Sequence, residues 1–360
     1  MAADVPTDHR DDRARVVIVG GGVAGASIAY HLTKLGWNDV LLLDRSELTS
    51  GSTFHSAGLV AQLRNSVSHT RMMMYGVELY PKLEAETGID PGWHEVGTLH
   101  LASSPYRLEA LARQAGWAKS FGLPVEIVSA AEALERFPLL DVSNVLGAQF
   151  VPTDGHLDPT GLTMAFAEGA KRGGARIRTG VRVQEVGVRD GRVTGVVTDH
   201  GAIEAEVVVN AAGIWAHELG GLGAVEIPVV PMEHQYLITR PIDGVTASFP
   251  TLRDPDNLVY VREEVGRRPA QSSRTMVGRR PTQTPKGSYA LAGARLLFGT
   301  WIARPSATSP ASLIASERVG CGAIPSATVS TVASASIATT PASIRSVTCG
   351  PTITSPSSSP

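Results

Sequence analysis

Three glycines, one carboxylate and one histidine carry the chemistry most legible in the first part of this chain. Gly20, Gly22 and Gly25 form G-x-G-x-x-G where a short apolar run meets a helix pattern. In such a turn the first glycine allows the tight reversal, the second lets backbone approach a pyrophosphate, and the third lets the helix meet the sheet. The N–H groups at the helix start, with the helix dipole behind them, favour a diphosphate, and Val23 and Ala24 lie at that contact. Asp44 follows Gly25 by 19 residues. There a carboxylate accepts hydrogen bonds from ribose hydroxyls and repels a 2′-phosphate, which disfavours NADP. Next comes Gly51-Ser52-Thr53-Phe54-His55-Ser56-Ala57-Gly58-Leu59, an apolar loop built around a single histidine.

The elements that must position these residues read as βαβ: a strand over Arg15 to Gly20, a helix over Gly22 to Leu35 closed by Gly36, and a buried strand over Val40 to Asp44. Ser68 to Glu86 has helical spacing, His94 to Ala102 alternates as a strand, and Pro105 to Phe121 reads as a helix with proline in its first turn. Ser129-Ala130-Ala131-Glu132 has the pattern of a capping box, opening a short helix that must end before Pro138. Asp158 to Gly173 gives a further helix, Arg176 to Val188 and Arg192 to Thr198 give strands joined through Asp190-Gly191, and Ile203 to Asn210 gives another. Val229 to Thr239 and Leu258 to Arg262 read as strands of a second sheet separated by a loop containing proline and aspartate. The expected fold is α/β (α+β): a Rossmann-like dinucleotide-binding domain interleaved with a substrate domain built on a mixed or antiparallel sheet.

Composition divides the chain in two. Residues 1–266 hold 22 Lys and Arg against 33 Asp and Glu, whereas residues 267–360 hold 10 against one acid, Glu317. An acidic body without a basic cluster argues against a nucleic-acid surface. Both cysteines, Cys321 and Cys349, lie beyond residue 266, so the body offers no disulfide, thiolate nucleophile or cysteine metal site. His31, His69, His94, His100 and His217 follow no metal-ligand spacing, and no metal is expected. The first fourteen residues, with Asp4, Asp8, Asp11 and Asp12, lack the apolar core of a signal peptide and the acid-poor character of a transit peptide. No apolar run approaches the ~20 residues of a spanning helix. A cytoplasmic protein, with no membrane partner, is the expectation, the mitochondrial matrix being the alternative.

Beyond Gly266, Ser, Thr, Pro and Ala make up 53 of 94 residues without sustained periodicity, which reads as a disordered tail. The break is abrupt and falls within what reads as a continuing sheet. It favours a reading-frame shift over a natural low-complexity tail. The expected units are therefore a folded, dinucleotide-binding region over 15–266 and a tail over 267–360.

The glycine turn alone leaves FAD and NAD open. Two features favour FAD: the histidine loop, and Val207-Val208-Val209-Asn210-Ala211-Ala212-Gly213-Ile214-Trp215, an apolar strand ending in small residues. The run from Leu41 through Leu59, LLLDRSELTSGSTFHSAGL, resembles the dimethylglycine and sarcosine dehydrogenase branch of the D-amino acid oxidase-like FAD oxidoreductases. So do Pro152-Thr153-Asp154-Gly155-His156-Leu157-Asp158-Pro159, Pro231-Met232-Glu233-His234-Gln235-Tyr236, and Arg253 to Glu264. The likeness runs from about Arg15 to Gly266.

The resemblance implies that His55 carries FAD covalently through the 8α-methyl carbon, that Gly51 to Leu59 wraps the flavin, and that Asp44 and Arg45 hold the adenosine side. It further implies that Val183 and Trp215 touch the cofactor and that His234 and Tyr260 are catalytic. Phe54 stands where relatives usually show tryptophan, which keeps an aromatic. A neutral imidazole is a competent nucleophile toward an electron-poor methyl carbon. The implied substrate is an N-methylated amino acid, with oxygen or an electron-transfer protein as acceptor. Relatives of this branch usually continue into a folate-binding domain, which this sequence does not show. Arg253 and Arg262 are candidates for a substrate carboxylate and equally for salt bridges. Three rivals stand beside this reading: a non-catalytic relative such as the regulatory subunit of pyruvate dehydrogenase phosphatase, an NAD-dependent dehydrogenase, and another amine or amino-acid oxidase of the same fold.

Overall fold

The apolar run after Arg13 forms a strand, Arg13–Val19, with partners on both sides in a six-stranded sheet. The computed structural model describes residues 12–231, 234–239 and 242–264, together with the backbone of strands Arg274–Arg279, Tyr289–Leu291 and Ala294–Leu296. In the six-stranded sheet Gly201–Asn210, Arg13–Val19, Val40–Leu43 and Arg176–Arg178 run parallel. The antiparallel hairpin Val183–Arg189 and Arg192–Thr198 completes it on the Gly201–Asn210 side. Successive side chains of a strand leave opposite faces. Val16, Ile18 and Leu42 accordingly pack with Tyr30, Leu83 and Phe166 from three helices. Val17, Leu41 and Leu43 pack the other face with Val196 and Ile203. Strands buried on both faces need no polar alternation, which is why they read as continuous apolar runs.

The helices covering the first face are Val23–Lys34, Val67–Thr87 and Pro159–Arg172. Ser66 caps the second by accepting from the His69 N–H, and left-handed Gly88 (φ 75°) closes it. The predicted capping box is present: Ser129 and Glu132 satisfy each other's backbone N–H at the start of Ala130–Arg136.

The second sheet has seven strands in the order Gln235–Ile238, Arg274–Arg279, Val259–Glu264, Thr251–Asp254, Thr98–Ala102, Gly147–Val151, Glu126–Val128. All neighbours are antiparallel except Thr251–Asp254 and Thr98–Ala102. Its segments come from between and after those of the first sheet, so the two layers interleave along the chain as the sequence implied. Leu99, Leu101, Ala148, Leu252, Val259 and Val261 fill one face against Ala133 and Phe137. A small sheet of Leu59–Val60, Gly155–His156 and His94–Glu95 lies beside the histidine loop.

Four expectations change. His94 to Ala102 is two strands, because Gly97 turns with φ 78° where a Cβ would stand 2.5 Å from the Phe150 ring. Arg176 to Val188 is also two, broken near left-handed Gly180, so one half joins the parallel strands and the other the hairpin. Within the expected loop before Leu258 lies the strand Thr251–Asp254, too short for its alternation to register. Finally, the sheet continues past the expected boundary at Gly266 into Arg274–Arg279, six residues that pair on both sides. Apart from the three strand backbones, the expected tail lies outside the described residues. Among the described residues, no helix is long and apolar enough to cross a membrane.

Candidate functional site

The turn between strand Arg13–Val19 and helix Val23–Lys34 admits only glycine at its contact points. A Cβ on Gly25 would stand 1.9 Å from the Gly20 carbonyl oxygen, and one on Gly20 (φ 119°) would stand 2.3 Å from that of Ala211. These approaches press the helix start and the Asn210–Ala212 segment onto the turn, as the motif requires. A Cβ on Gly22 would come 2.9 Å from Thr53 Oγ1. The same hydroxyl accepts from the Val23 N–H at 3.0 Å, so the histidine loop supplies the helix start with a partner its own N-cap, Gly22, lacks.

Asp44 is tied to the same turn. Its Oδ2 accepts from the Gly21 N–H at 2.6 Å and its Oδ1 from the Ser46 N–H at 2.8 Å. Each carboxylate oxygen keeps a further lone pair for a hydroxyl. The guanidinium of Arg45 lies 4.1 Å over the Trp215 ring, in range for a cation–π contact. A Cβ on Gly51 would meet that ring at 3.3 Å, so Arg45, Trp215 and Gly51 form one layer. Val183 packs with Val17, Leu41 and Leu43, two residues after Val181, whose N–H donates to the Asp44 carbonyl.

The loop itself is held at both ends. Thr49, at φ 68°, donates its N–H to the Gly21 carbonyl and accepts from the Phe54 N–H, a role the sequence did not announce. At the other end Leu59 and Val60 pair with His156 and Gly155, and the Leu157 N–H donates to the Gly58 carbonyl at 2.9 Å. The Ser56 hydroxyl accepts from the Gly58 N–H at 3.3 Å, and Ala57 is half-buried between them. Phe54 is 61% exposed and meets the His55 ring edge-on at 5.2 Å. Its aromatic ring therefore turns toward solvent while shielding the imidazole. Ser52 Oγ and His55 Nδ1 are buried and have no hydrogen-bond partner among the described residues.

Buried polar atoms nearly always find a partner, in the chain, in water or in a bound group. Ser52 and His55 share this condition with His100 Nε2, Asp154 Oδ2, His156 Nε2, Arg262 Nε and Glu263 Oε2. Every one belongs to the histidine loop, to the segment zipped against it, or to the second sheet. Glu263 leaves its strand on the face opposite Tyr260 and Arg262 and stands apart from the rest. Together with the glycine cradle, the other unpaired donors and acceptors fit a group with a diphosphate at one end and a polar ring system at the other.

On the second sheet, register places Tyr236, Gly278, Tyr260, Arg253, His100 and Gln149 in one transverse row. Residues in a row share a face, and this one is opposite the apolar face. Gly278 adds no side chain between the two tyrosines. His234, two residues before Tyr236, stacks on Tyr260 with ring centroids 5.6 Å apart and planes at 7°, and its Nε2 lies 2.8 Å from the phenolic oxygen. The structure therefore brings together the two residues singled out from 26 positions apart. Met232 and Glu233 of the same motif lie outside the described residues.

Two histidines near this face are held neutral. Burial pushes His100 down to about 3, assisted by nearby Arg253 and Arg64. Burial likewise pushes His156 down to about 3, assisted by Arg262 and then His94. Asp154 moves the other way: burial raises it to about 6 even though Oδ1 accepts from the Gln62 N–H at 2.9 Å. Asp154 and His156 fall within a quoted motif, yet only their burial sets them apart. Arg262 is ion-paired with Glu264 at 2.5 Å. Among the described residues, no group of three or more His, Cys, Asp or Glu is placed to hold a metal ion.

Comparison with known proteins agrees with this arrangement. A family model described as FAD dependent oxidoreductase matches residues 15–310. The mitochondrial dimethylglycine dehydrogenase of Homo sapiens is 40% identical over 259 residues, covering 70% of this chain and 30% of that protein. The mitochondrial pyruvate dehydrogenase phosphatase regulatory subunit of Mus musculus is 40% identical over 257 residues, covering 71% and 29%. This chain thus spans under a third of the length of either relative. The crystal structure of L-proline dehydrogenase from P. horikoshii superposes with a TM-score of 0.67 at 30% identity, covering 76% of this chain and 73% of that one. With more than half of its length matched by one family model, this chain belongs to the FAD dependent oxidoreductase (DAO) family.

Proposed function

We propose that the region from about Arg15 through the seven-stranded sheet binds FAD and oxidises an N-methylated amino acid, dimethylglycine or sarcosine, to an iminium that yields a one-carbon unit. The observation that carries this reading is the set of buried, unpaired polar atoms on the histidine loop and the elements facing it. Bound FAD supplies the acceptor for a hydride equivalent from the carbon next to nitrogen. His55 is its covalent anchor in this reading, and Ser52 Oγ a hydrogen-bond partner.

The remaining chemistry belongs to the chain. An ammonium nitrogen has no lone pair to support hydride loss, so the amine must be deprotonated first. The phenolic oxygen of Tyr260 accepts that proton while its own O–H proton passes to His234 Nε2, 2.8 Å away. Tyr260 is buried, which keeps bulk water from reprotonating the amine. Glycine turn, Asp44 and the Arg45–Trp215 layer hold the diphosphate and adenosine end. The electron acceptor is oxygen or an electron-transfer protein.

The test is direct. Purified protein should show visible flavin absorbance that survives acid precipitation and is lost when dimethylglycine or sarcosine is added without oxygen. A second reading, a non-catalytic regulatory protein, is favoured by the equal 40% identity to the phosphatase regulatory subunit. Flavin absorbance that neither of these amines nor any of a panel of other amines and amino acids bleaches would favour it. Colourless protein with no affinity for FAD defeats both.

A further inference from the structure

We propose that Arg262 and the neutral imidazole of His156 form a latch that joins the second sheet to the histidine loop, making Arg262 a positioning residue for His55. This rests on the reading that the loop holds the flavin.

Arg262 follows Tyr260 by two residues on strand Val259–Glu264, so both side chains leave the same face. It is only 8% exposed. A buried guanidinium is costly unless it is engaged, and here its two terminal nitrogens are, while Nε is left bare among the described residues. Glu264 engages one side at 2.5 Å. On the other, Nη1 donates to His156 Nδ1 at 3.3 Å and to the Glu263 carbonyl at 3.1 Å. Arginine can only donate, so Nδ1 must be the bare nitrogen and the ring proton must sit on Nε2. The His94 ring, 5.1 Å away, packs against the imidazole.

His156 is also the residue that pairs with Leu59, and the next residue, Leu157, donates its N–H to Gly58. The imidazole thus fixes the segment to which the end of the histidine loop is zipped, three to four residues from His55. The groups facing it are Arg262 from the second sheet and His94 from the small sheet, with Glu264 behind the guanidinium. Both neighbours resist protonation of His156, so the acceptor persists across the physiological pH range. Because Tyr260 and Arg262 share a strand, the latch sets the distance between the loop and the catalytic pair.

The test uses the full chain in four variants: His156→Gln, whose amide oxygen still accepts, His156→Leu, Arg262→Leu and the double leucine variant. FAD affinity is read by flavin fluorescence with each variant placed in the His55→Ala background, which removes the proposed covalent bond, and loop order by amide hydrogen exchange over residues 51–60. Both leucine variants should weaken FAD and speed exchange in that segment about tenfold, and the double variant should be no worse than either alone. His156→Gln should stay within about threefold of the parent. Should a leucine variant not fold, Arg262→Lys keeps the buried charge but not the planar fork, and should give the same faster exchange confined to residues 51–60. Unchanged exchange in the leucine variants, or losses that multiply in the double variant, overturns the latch. A parent chain with no affinity for FAD sinks the flavin reading instead, and exchange in the segment still decides the latch.

Discussion

His234 Nε2 stands 2.8 Å from the Tyr260 phenolic oxygen, with the two rings almost coplanar in orientation at 7°. Hydrogen bond and stack hold each group in the orientation that proton transfer between them needs. Tyr260→Phe and His234→Asn are each expected to lower kcat/KM for dimethylglycine or sarcosine about 100-fold. Combining them should add little, because the two act as one relay. Steady-state assays with an artificial acceptor check this, and losses that simply multiply would show that the groups work independently.

Among the described residues His55 has a buried Nδ1 without a partner, as does the Ser52 hydroxyl three residues earlier on the same loop. His55→Ala should release all flavin into the supernatant on acid precipitation while the folded variant still binds FAD reversibly. Flavin that stays with the precipitated variant would place the attachment elsewhere.

Two glycine substitutions should behave in opposite ways. Gly25→Val pushes a side chain into the Gly20 carbonyl, which is rigid backbone, and is expected to abolish FAD binding and cost more than ~1 kcal/mol of stability. Gly116 lies in helix Pro105–Ala118 with nothing within 4 Å of an added Cβ. Gly116→Ala should leave FAD binding intact and stabilise the protein by up to about 1 kcal/mol. Fluorescence titration and thermal unfolding read both.

Asp154 has a folded-state value of about 6, raised from 3.8 by burial. A raised carboxyl stabilises the fold in its protonated form, and that contribution is lost as pH rises from about 4 through 6. Two units correspond to about 3 kcal/mol. Asp154→Asn keeps an acceptor for the Gln62 N–H and carries no charge, so it should be more stable than the parent above pH 6 and equal to it near pH 4. Parallel unfolding curves across that range would contradict the prediction.

The glycine turn, the capping box and the Asp190-Gly191 hairpin were legible because each is decided within a few residues. Asp190 and Gly191 take φ of 51° and 73°, values set by local sterics alone. The parallel strands Arg13–Val19 and Val40–Leu43 were equally legible, since burial on both faces leaves an unbroken apolar run over Val16–Val19 and Val40–Leu43. His234 and Tyr260 could be singled out by resemblance, but their contact could not, because it depends on Gln235–Ile238 and Val259–Glu264 both pairing with Arg274–Arg279.

What the sequence by itself determined is therefore the local grammar: which segments turn, which coil, and where a glycine turn opens a helix. Tertiary structure alone decided that His94 to Ala102 breaks in two, that Gln62 meets Asp154 across 92 residues, and that Arg262 meets His156 across 106. Dihedral preference and periodicity act over one or two turns of chain. Which distant strands pair depends instead on the apolar surface they bury together and on the polar groups left needing partners, and no short stretch of sequence carries that information.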